Sequence, residues 1–501
     1  MTYNAGWTTI GRFVEDGHVE GKLAARVGAT KMLGEGGGAG SVQRHNRERR
    51  IQQILLAATE IFRDEGYAGF TTRKVAAKAG LTLSNLQYYF PDKDELLSAI
   101  IQNFLQGFLD EYVAIADRSG ASAQRRCGAL VEQIFADISK VETGKFLFET
   151  WAFAQHAPYA STLVEAAYAA YRDIFAELLS EINPALSLDE CQVRAFVLTA
   201  QAEGMMILSV RGEKSEKDYE EFLRTTKRSV KSIAGLTGKM LGAELFEPAR
   251  SSTSASATTG VGIFHDLFGA ENQERRGRYD LSLRQVGLEQ SYLRPTMQSR
   301  KREAKINEII RAAANVLASE GYANFTLARV AKEVGILTSG LQHYFPAHED
   351  LLGSTISALF ATYYDRWSEM SQPSAKSAIE RLFEVIDEVF VEACDPRVCR
   401  FSFEMFALAE HSEITYTLLS KSYAEYRQIY VNLVREIDPT VSGRECLARA
   451  TLIAAQFEGL MIYTYSTGRQ TPGLDMILRL FKATSVEIAH GFTGRNKETV
   501  A

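Results

Sequence analysis

The sequence predicts an all-α chain built from two tandem copies of one helical unit. Three observations lead there: apolar residues recur at helical spacing, no alternating strand pattern of any length occurs, and an offset of 255 residues lays the chain on itself. From 66 to 100, 16 of 35 residues are identical to the residue 255 further on. Gly66-Tyr67-Ala68 returns as Gly321-Tyr322-Ala323, and Tyr89-Phe90-Pro91 as Tyr344-Phe345-Pro346. Downstream, Tyr171-Arg172 meets Tyr426-Arg427, Cys191 meets Cys446, and Gln201, Glu203 and Gly204 meet Gln456, Glu458 and Gly459. A repeat this long is a whole protein twice over, not a solenoid unit.

Each copy opens on a helix. Ile51, Ile54, Leu55, Ala58, Ile61 and Phe62 follow the i, i+3, i+4, i+7 rule and stop at Gly66, a C′ glycine; Ile306, Ile309, Ile310, Ala313, Val316 and Leu317 do the same before Gly321. Thr71 and Thr326 are N-cap residues of short helices that bury Val75-Ala76 and Val330-Ala331 and end at Gly80 and Gly335. A second short helix follows through Leu86 and Phe90, or Leu341 and Phe345, with those four side chains in the core. Pro91 and Pro346 end it. Two short helices joined by a glycine turn form a helix-turn-helix, whose second helix enters the DNA major groove. Longer amphipathic segments follow at 93–117, 162–181 and 193–210.

The order of elements divides the chain into a glycine-rich arm (1–43), a helix-turn-helix domain (44–92) and a larger helical domain (93–242). A linker (243–298) then leads to the second helix-turn-helix domain (299–347) and the second helical domain (348–495). Met32 is a second candidate start of translation.

Composition bounds the class. The 501 residues are 46% apolar, with a net charge of −6, no run of about 18 apolar residues and no secretory pattern in the first thirty. Five cysteines without a CxxC pair argue against disulfides and zinc and for the cytoplasm, and nothing calls for a cofactor or metal. No nucleophile elbow, P-loop, Rossmann glycine pattern or HExxH points to an enzyme. Charge is uneven, however. Residues 44–93 carry a net +4 and residues 300–346 a net +3, the footprint of phosphate neutralisation on an acidic chain.

The order G-Y-x-x-F-T, V-A-x-x-x-G, L-x-x-Y-F-P resembles the TetR family of transcriptional repressors over 47–100 and 302–355. The resemblance implies two tandem TetR-like units. Each would be an N-terminal three-helix DNA-binding domain followed by a helical domain for ligand binding and dimerisation. The stretch from Glu149-Thr150-Trp151-Ala152 to Tyr171-Arg172 looks most like the choline-responsive branch. Both copies depart from the family in replacing the lysine near the start of the recognition helix, with Leu83 and Thr338.

Candidate contacts to double-stranded DNA follow. Arg44, Arg47, Arg49 and Arg50, with Arg300, Lys301, Arg302 and Lys305, stand at the start of the first helix to meet the backbone or minor groove. Thr71 and Thr326 open the supporting helices. Thr82, Leu83, Ser84, Asn85 and Gln87, and Thr338, Ser339 and Gln342, face the bases. Tyr88, Tyr89, His343 and Tyr344 are phosphate contacts, or one of each pair packs inward. Leu337 stands where the first copy has the capping Thr82, and Asn85 and Tyr88 face Gly340 and His343, so related but unequal half-sites are expected.

For a small-molecule effector of unknown identity, amphipathic or cationic, the candidates are Glu149, Trp151 and His156, and Glu404, Phe406 and His411; core packing explains any one of them as well. The Met- and Leu-rich helices around Glu203-Gly204 and Glu458-Gly459 suggest a close seam between copies. The expectation is a ligand-responsive repressor acting as a covalent pseudo-dimer on an imperfect palindrome. Homo-oligomers of paired chains, and a ligand-binding protein with one vestigial DNA-binding unit, are the alternatives.

Overall fold

A computed structural model of the chain describes residues 39–209, 215–236, 297–466 and 473–492. Among these residues there are eighteen α-helices and no strand. The first copy supplies α1 (Ala39–Gly69), α2 (Thr72–Lys78), α3 (Leu83–Tyr89), α4 (Lys93–Ala116), α5 (Ala123–Ile138), α6 (Val141–Ala154), α7 (Pro158–Ile182), α8 (Leu188–Ser209) and α9 (Glu216–Gly235). The second supplies α10 (Met297–Glu320), α11 (Leu327–Val334), α12 (Thr338–Gln342), α13 (His348–Ser371) and α14 (Ala378–Ala393). It continues with α15 (Pro396–Ala409), α16 (Glu413–Ile437), α17 (Gly443–Ser466) and α18 (Leu474–Ala489). The expected arm and linker lie almost wholly outside the described residues.

The local signals act as expected. Gly66 interrupts α1 at φ 67° and Gly321 follows α10 at φ 76°, conformations that cost a side-chain-bearing residue energy. Thr71 and Thr326 cap α2 and α11 by accepting from the Lys74 and Arg329 N–H groups at 3.3 and 3.1 Å. Leu86, Leu341 and Phe345 are buried as expected, whereas Phe90 is half-buried.

The chain divides into two compact units between Pro184 and Ala185. In the first, α4 runs along α7 and is flanked by α5 and α1, while α6 braces α1. Phe62, Phe70 and Phe146 are fully buried where α1 meets α6. The second unit repeats this packing with α10, α13, α15 and α16, and also holds α8, α9, α17 and α18. So α8 and α9, first-copy helices by sequence, pack against second-copy helices.

The reason is the contact between α8 and α17. A Cβ added at Gly204 would lie 2.7 Å from Ala455 Cα, and one at Gly459 would lie 2.6 Å from Ala200 Cα, so only glycine permits this approach. The two contacts are reciprocal: 204 meets the counterpart of 200, and 200 meets the counterpart of 204. At the centre Gln201 Nε2 donates to Gln456 Oε1 at 3.2 Å, each residue touching its own counterpart. Ser229 donates to Gln201 at 3.0 Å, and Gln456 donates to Ser485 at 3.0 Å, so these buried amides are satisfied. The rim is ionic, with Arg444 against Asp218 at 2.9 Å and Arg228 against Glu445 at 3.4 Å.

Candidate nucleic-acid interface and ligand cavity

In the first unit, α2 and α3 are joined through Gly80, at φ 65°. Thr82 caps α3 by accepting from the Asn85 N–H at 3.2 Å. With Leu86 anchored in the core, helical periodicity leaves Thr82, Ser84, Asn85, Gln87 and Tyr88 exposed on one side, with Leu83 and Tyr89 half-buried beside them. The Tyr88 and Tyr89 rings meet edge to face at 5.2 Å; Tyr88 points outward and Tyr89 partly inward. Arg47 and Arg49 are exposed near the start of α1, and Arg50 is half-buried, donating to Gln53 at 2.9 Å. Gln53 in turn donates to the Ala79 carbonyl at 3.0 Å, tying this basic stretch to the turn before α3. Thr71 is exposed, but its hydroxyl is committed to its cap.

The second unit builds the same motif less firmly. Leu337 stands at the N-cap of α12 with no side-chain acceptor for the cap, is 79% exposed, and α12 is five residues long against seven for α3. Ser339, Gln342 and His343 are exposed; Thr338 and Tyr344 are half-buried. Arg302 ties three candidates together, with its guanidinium 3.5 Å from His343 Nε2 and 5.3 Å from the centre of the Tyr344 ring. Lys301 is exposed, and Lys305 pairs with Glu308 at 2.9 Å. Thr326 is exposed and committed to its cap like Thr71. Arg44 and Arg300 lie on described helix backbone, and their side chains fall outside the described residues. Arg329 is bound by Glu320 and by Glu333 at 2.8 Å, which hold its guanidinium protonated; Lys74 and Glu65 repeat the first of these pairs.

The six candidate ligand residues take other places. Glu149 on α6 is buried and accepts from the Tyr67 N–H at 3.0 Å; Glu404 on α15 is buried and accepts from the Tyr322 N–H at 2.9 Å. Each carboxylate thus holds the chain at the glycine that ends the first helix of its DNA-binding domain. A Cβ at Gly66 would come within 3.0 Å of the Glu149 carboxylate. Trp151 is buried edge-on to Phe148 at 5.5 Å, and Phe406 is buried 6.2 Å from Tyr423. His156 and His411 are exposed, His156 stacked on Tyr67 at 6.2 Å.

A cavity lies among α13, α14, α15, α16 and α17 of the second unit. Phe360, Trp367, Tyr423, Tyr426 and Phe457 give it aromatic walls, and Glu392, Glu425 and Glu458 line it with carboxyl groups; no Lys, Arg or His lines it. Glu458 accepts from the Tyr423 hydroxyl at 2.8 Å, and burial pushes its carboxyl up to about 7. Burial likewise raises the Tyr426 and Tyr430 hydroxyls, which hydrogen-bond each other at 3.2 Å. Sequence reasoning missed this site, although its signal was present: aromatics at 423, 426 and 430, three and four residues apart, and an acid inside an apolar helix.

A family profile for bacterial regulatory proteins of the tetR family matches twice, at residues 54–100 and 309–355. The chain is similar to an uncharacterized HTH-type transcriptional regulator in the dhlA 5' region of Xanthobacter autotrophicus, 27% identical over 178 residues, 35% of this chain and 86% of the relative. It is also similar to the HTH-type transcriptional regulator BetI of Stenotrophomonas maltophilia, 26% identical over 159 residues, 32% of this chain and 80% of the relative. The HTH-type transcriptional regulator PksA of Bacillus subtilis is 27% identical over 111 residues, 22% of this chain and 54% of the relative. Both matched stretches begin within the first helix of a copy and run into the helix after the recognition helix. Among the described residues no helix is long and apolar enough to cross a membrane.

Proposed function

Since the chain is a tandem DNA-binding regulator of the TetR family, carrying two such domains, we propose that it acts as a ligand-responsive repressor, one molecule forming its own pseudo-dimer on an imperfect palindrome. The observation that carries this reading is the reciprocal contact of α8 with α17, where Gly204 meets Ala455, Gly459 meets Ala200 and Gln201 meets Gln456. Reciprocity is the mark of an isologous interface, in which the same patch of each partner is used. Fusion makes that pairing intramolecular and frees the copies from strict symmetry.

On DNA, α3 and α12 each enter a major groove. Thr82, Leu83, Ser84, Asn85 and Gln87 read one half-site, and Thr338, Ser339 and Gln342 the other. The basic residues from Arg44 to Arg50 and from Arg300 to Lys305, with Tyr88, Tyr89, His343 and Tyr344, hold phosphates and fix the register. Effector binding in the helical domain lowers operator affinity only by as much as it prefers the unbound arrangement. The route runs along α15: Val398 and Ser402 line the cavity, and Glu404 holds the Tyr322 N–H at the base of the DNA-binding domain.

The test is the mass of the purified chain, alone and on DNA from beside its own gene, by light scattering after size exclusion. One chain per duplex, with affinity falling steeply in salt, is expected; two chains per duplex refute the pseudo-dimer. A second reading, in which the second DNA-binding unit is vestigial, draws on the short α12, its uncapped start and the exposed Leu337. A footprint covering one half-site would favour it.

A further inference from the structure

The helix α12 begins on a residue that its own stability does not call for. We infer that Leu337, set beside the bare backbone of Gly340, is a specificity-determining contact of the second copy and reads the methyl group of a thymine in its half-site; this rests on the DNA-binding reading above.

The backbone at this position is held from both sides. The Ile336 N–H donates to the Ala331 carbonyl at 3.0 Å, and the Leu337 carbonyl accepts from the Leu341 N–H at 3.1 Å. Ala331 and Leu341 are buried, so the core fixes the chain on either side of Leu337 while its side chain stays 79% exposed. Thr82 is exposed at the same point of α3, its carbonyl accepting from the Leu86 N–H at 3.0 Å. The two residues therefore occupy one place on the two recognition surfaces.

Local stability disfavours what the second copy puts there. Leucine forgoes the cap that Thr82 makes with the Asn85 N–H at 3.2 Å. Gly340, three residues on and so beside Leu337 on the helix surface, weakens the helix again. Packing does not require that glycine: it is absent from the glycines with positive φ, and a Cβ there would stand in open space. Two such departures, adjacent on the exposed side of a recognition helix, mark a surface shaped for something outside the fold.

Chemistry identifies the occupant. Only thymine presents a methyl group in the major groove. Leucine offers no hydrogen bond, so against any other base it would cover polar edge atoms without pairing them. With no side chain at 340, the backbone is free to come close to the base. The net +3 over residues 300–346 favours DNA over an apolar protein partner. In the first copy Thr82 and Asn85 take these two places, and the Asn85 amide suits adenine.

The test is a thermodynamic cycle on the full chain, using an operator recovered by binding-site selection and affinities from fluorescence anisotropy. Each thymine is replaced in turn by deoxyuridine, which lacks only the methyl group. At one thymine or more the replacement should weaken the unaltered chain about fourfold, the worth of one buried methyl group. Leu337→Ala should bind both forms of one such site alike. Fraying of α12 would weaken both forms equally and leave the fourfold ratio in place, so the ratio isolates the contact. Gly340→Ala should strengthen the helix and yet weaken operator binding severalfold. A ratio that Leu337→Ala leaves unchanged at every thymine, or that Thr82→Ala abolishes at the same thymine, overturns the inference and leaves the regulator reading standing. Operator binding that Gly340→Ala leaves unchanged or tightens does the same. Selection that recovers no sequence removes both.

Discussion

Gly204→Ala tests the seam by adding one carbon atom. Its Cβ would lie 2.7 Å from Ala455 Cα, whereas unbonded carbons rest at about 3.5–4.0 Å, a shortfall on the order of 1 Å. The obstacle is helix backbone, so no rotamer change resolves the overlap, and α8 and α17 must part. The Gln201–Gln456 hydrogen bond, 3.2 Å long, then stretches past any useful length. Overpacking costs about 1–3 kcal/mol, and a stranded buried amide about the same again, giving roughly 2–6 kcal/mol together. The assay is urea unfolding followed by circular dichroism, with hydrodynamic radius and operator affinity in parallel. The seam should open without a change of mass, giving a larger radius and a weaker hold on DNA. A variant with unchanged radius, operator affinity and urea midpoint would refute the close packing of α8 on α17 and the pseudo-dimer built on it.

The cap difference can be exchanged between copies: Thr82→Leu should destabilise α3 and Leu337→Thr should stabilise α12, each by about 1 kcal/mol, read by amide hydrogen exchange. Glu404→Ala strands the Tyr322 N–H and should cost about 1–3 kcal/mol. Operator affinity should fall through the second half-site while the first is unaffected, as footprinting would show. Stability should also depend on pH through Glu458, which faces the Tyr423 hydroxyl, Tyr426 and Tyr430 and shares its cavity with Glu392 and Glu425. Its carboxyl rises from an ordinary value of 4.5 to about 7 on folding, so the folded chain binds the extra proton between those values. The stabilisation is therefore complete below pH 4.5 and lost as pH rises to about 7, on the order of 3 kcal/mol in all. Glu458→Gln should flatten that slope in denaturant midpoints measured across the window; an unchanged slope would show that Glu458 does not carry it.

Much of this protein was legible without coordinates, because the signals are local. Apolar spacing marks helices, Gly66 and Gly80 end them by taking positive φ, and Thr71 and Thr82 start them by capping. The 255-residue offset needs only the string of letters, and with the helix-turn-helix it was enough to reach the family and the all-α class. The glycines of α8 and α17 also announced a close seam. The tertiary structure decided the rest, because it depends on residues far apart in the chain. Glu149 and Glu404 read as ligand candidates, and only the fold shows that each also accepts from a backbone N–H group 82 residues away. The cavity exists because Ala393, Ser402 and Glu458, on three different helices, leave room and charge in one place, and no periodicity within a single helix records that. Nor does the sequence boundary between copies say that α8 and α9 pack with the second copy; the helices settle there because only a glycine facing backbone allows so short a separation.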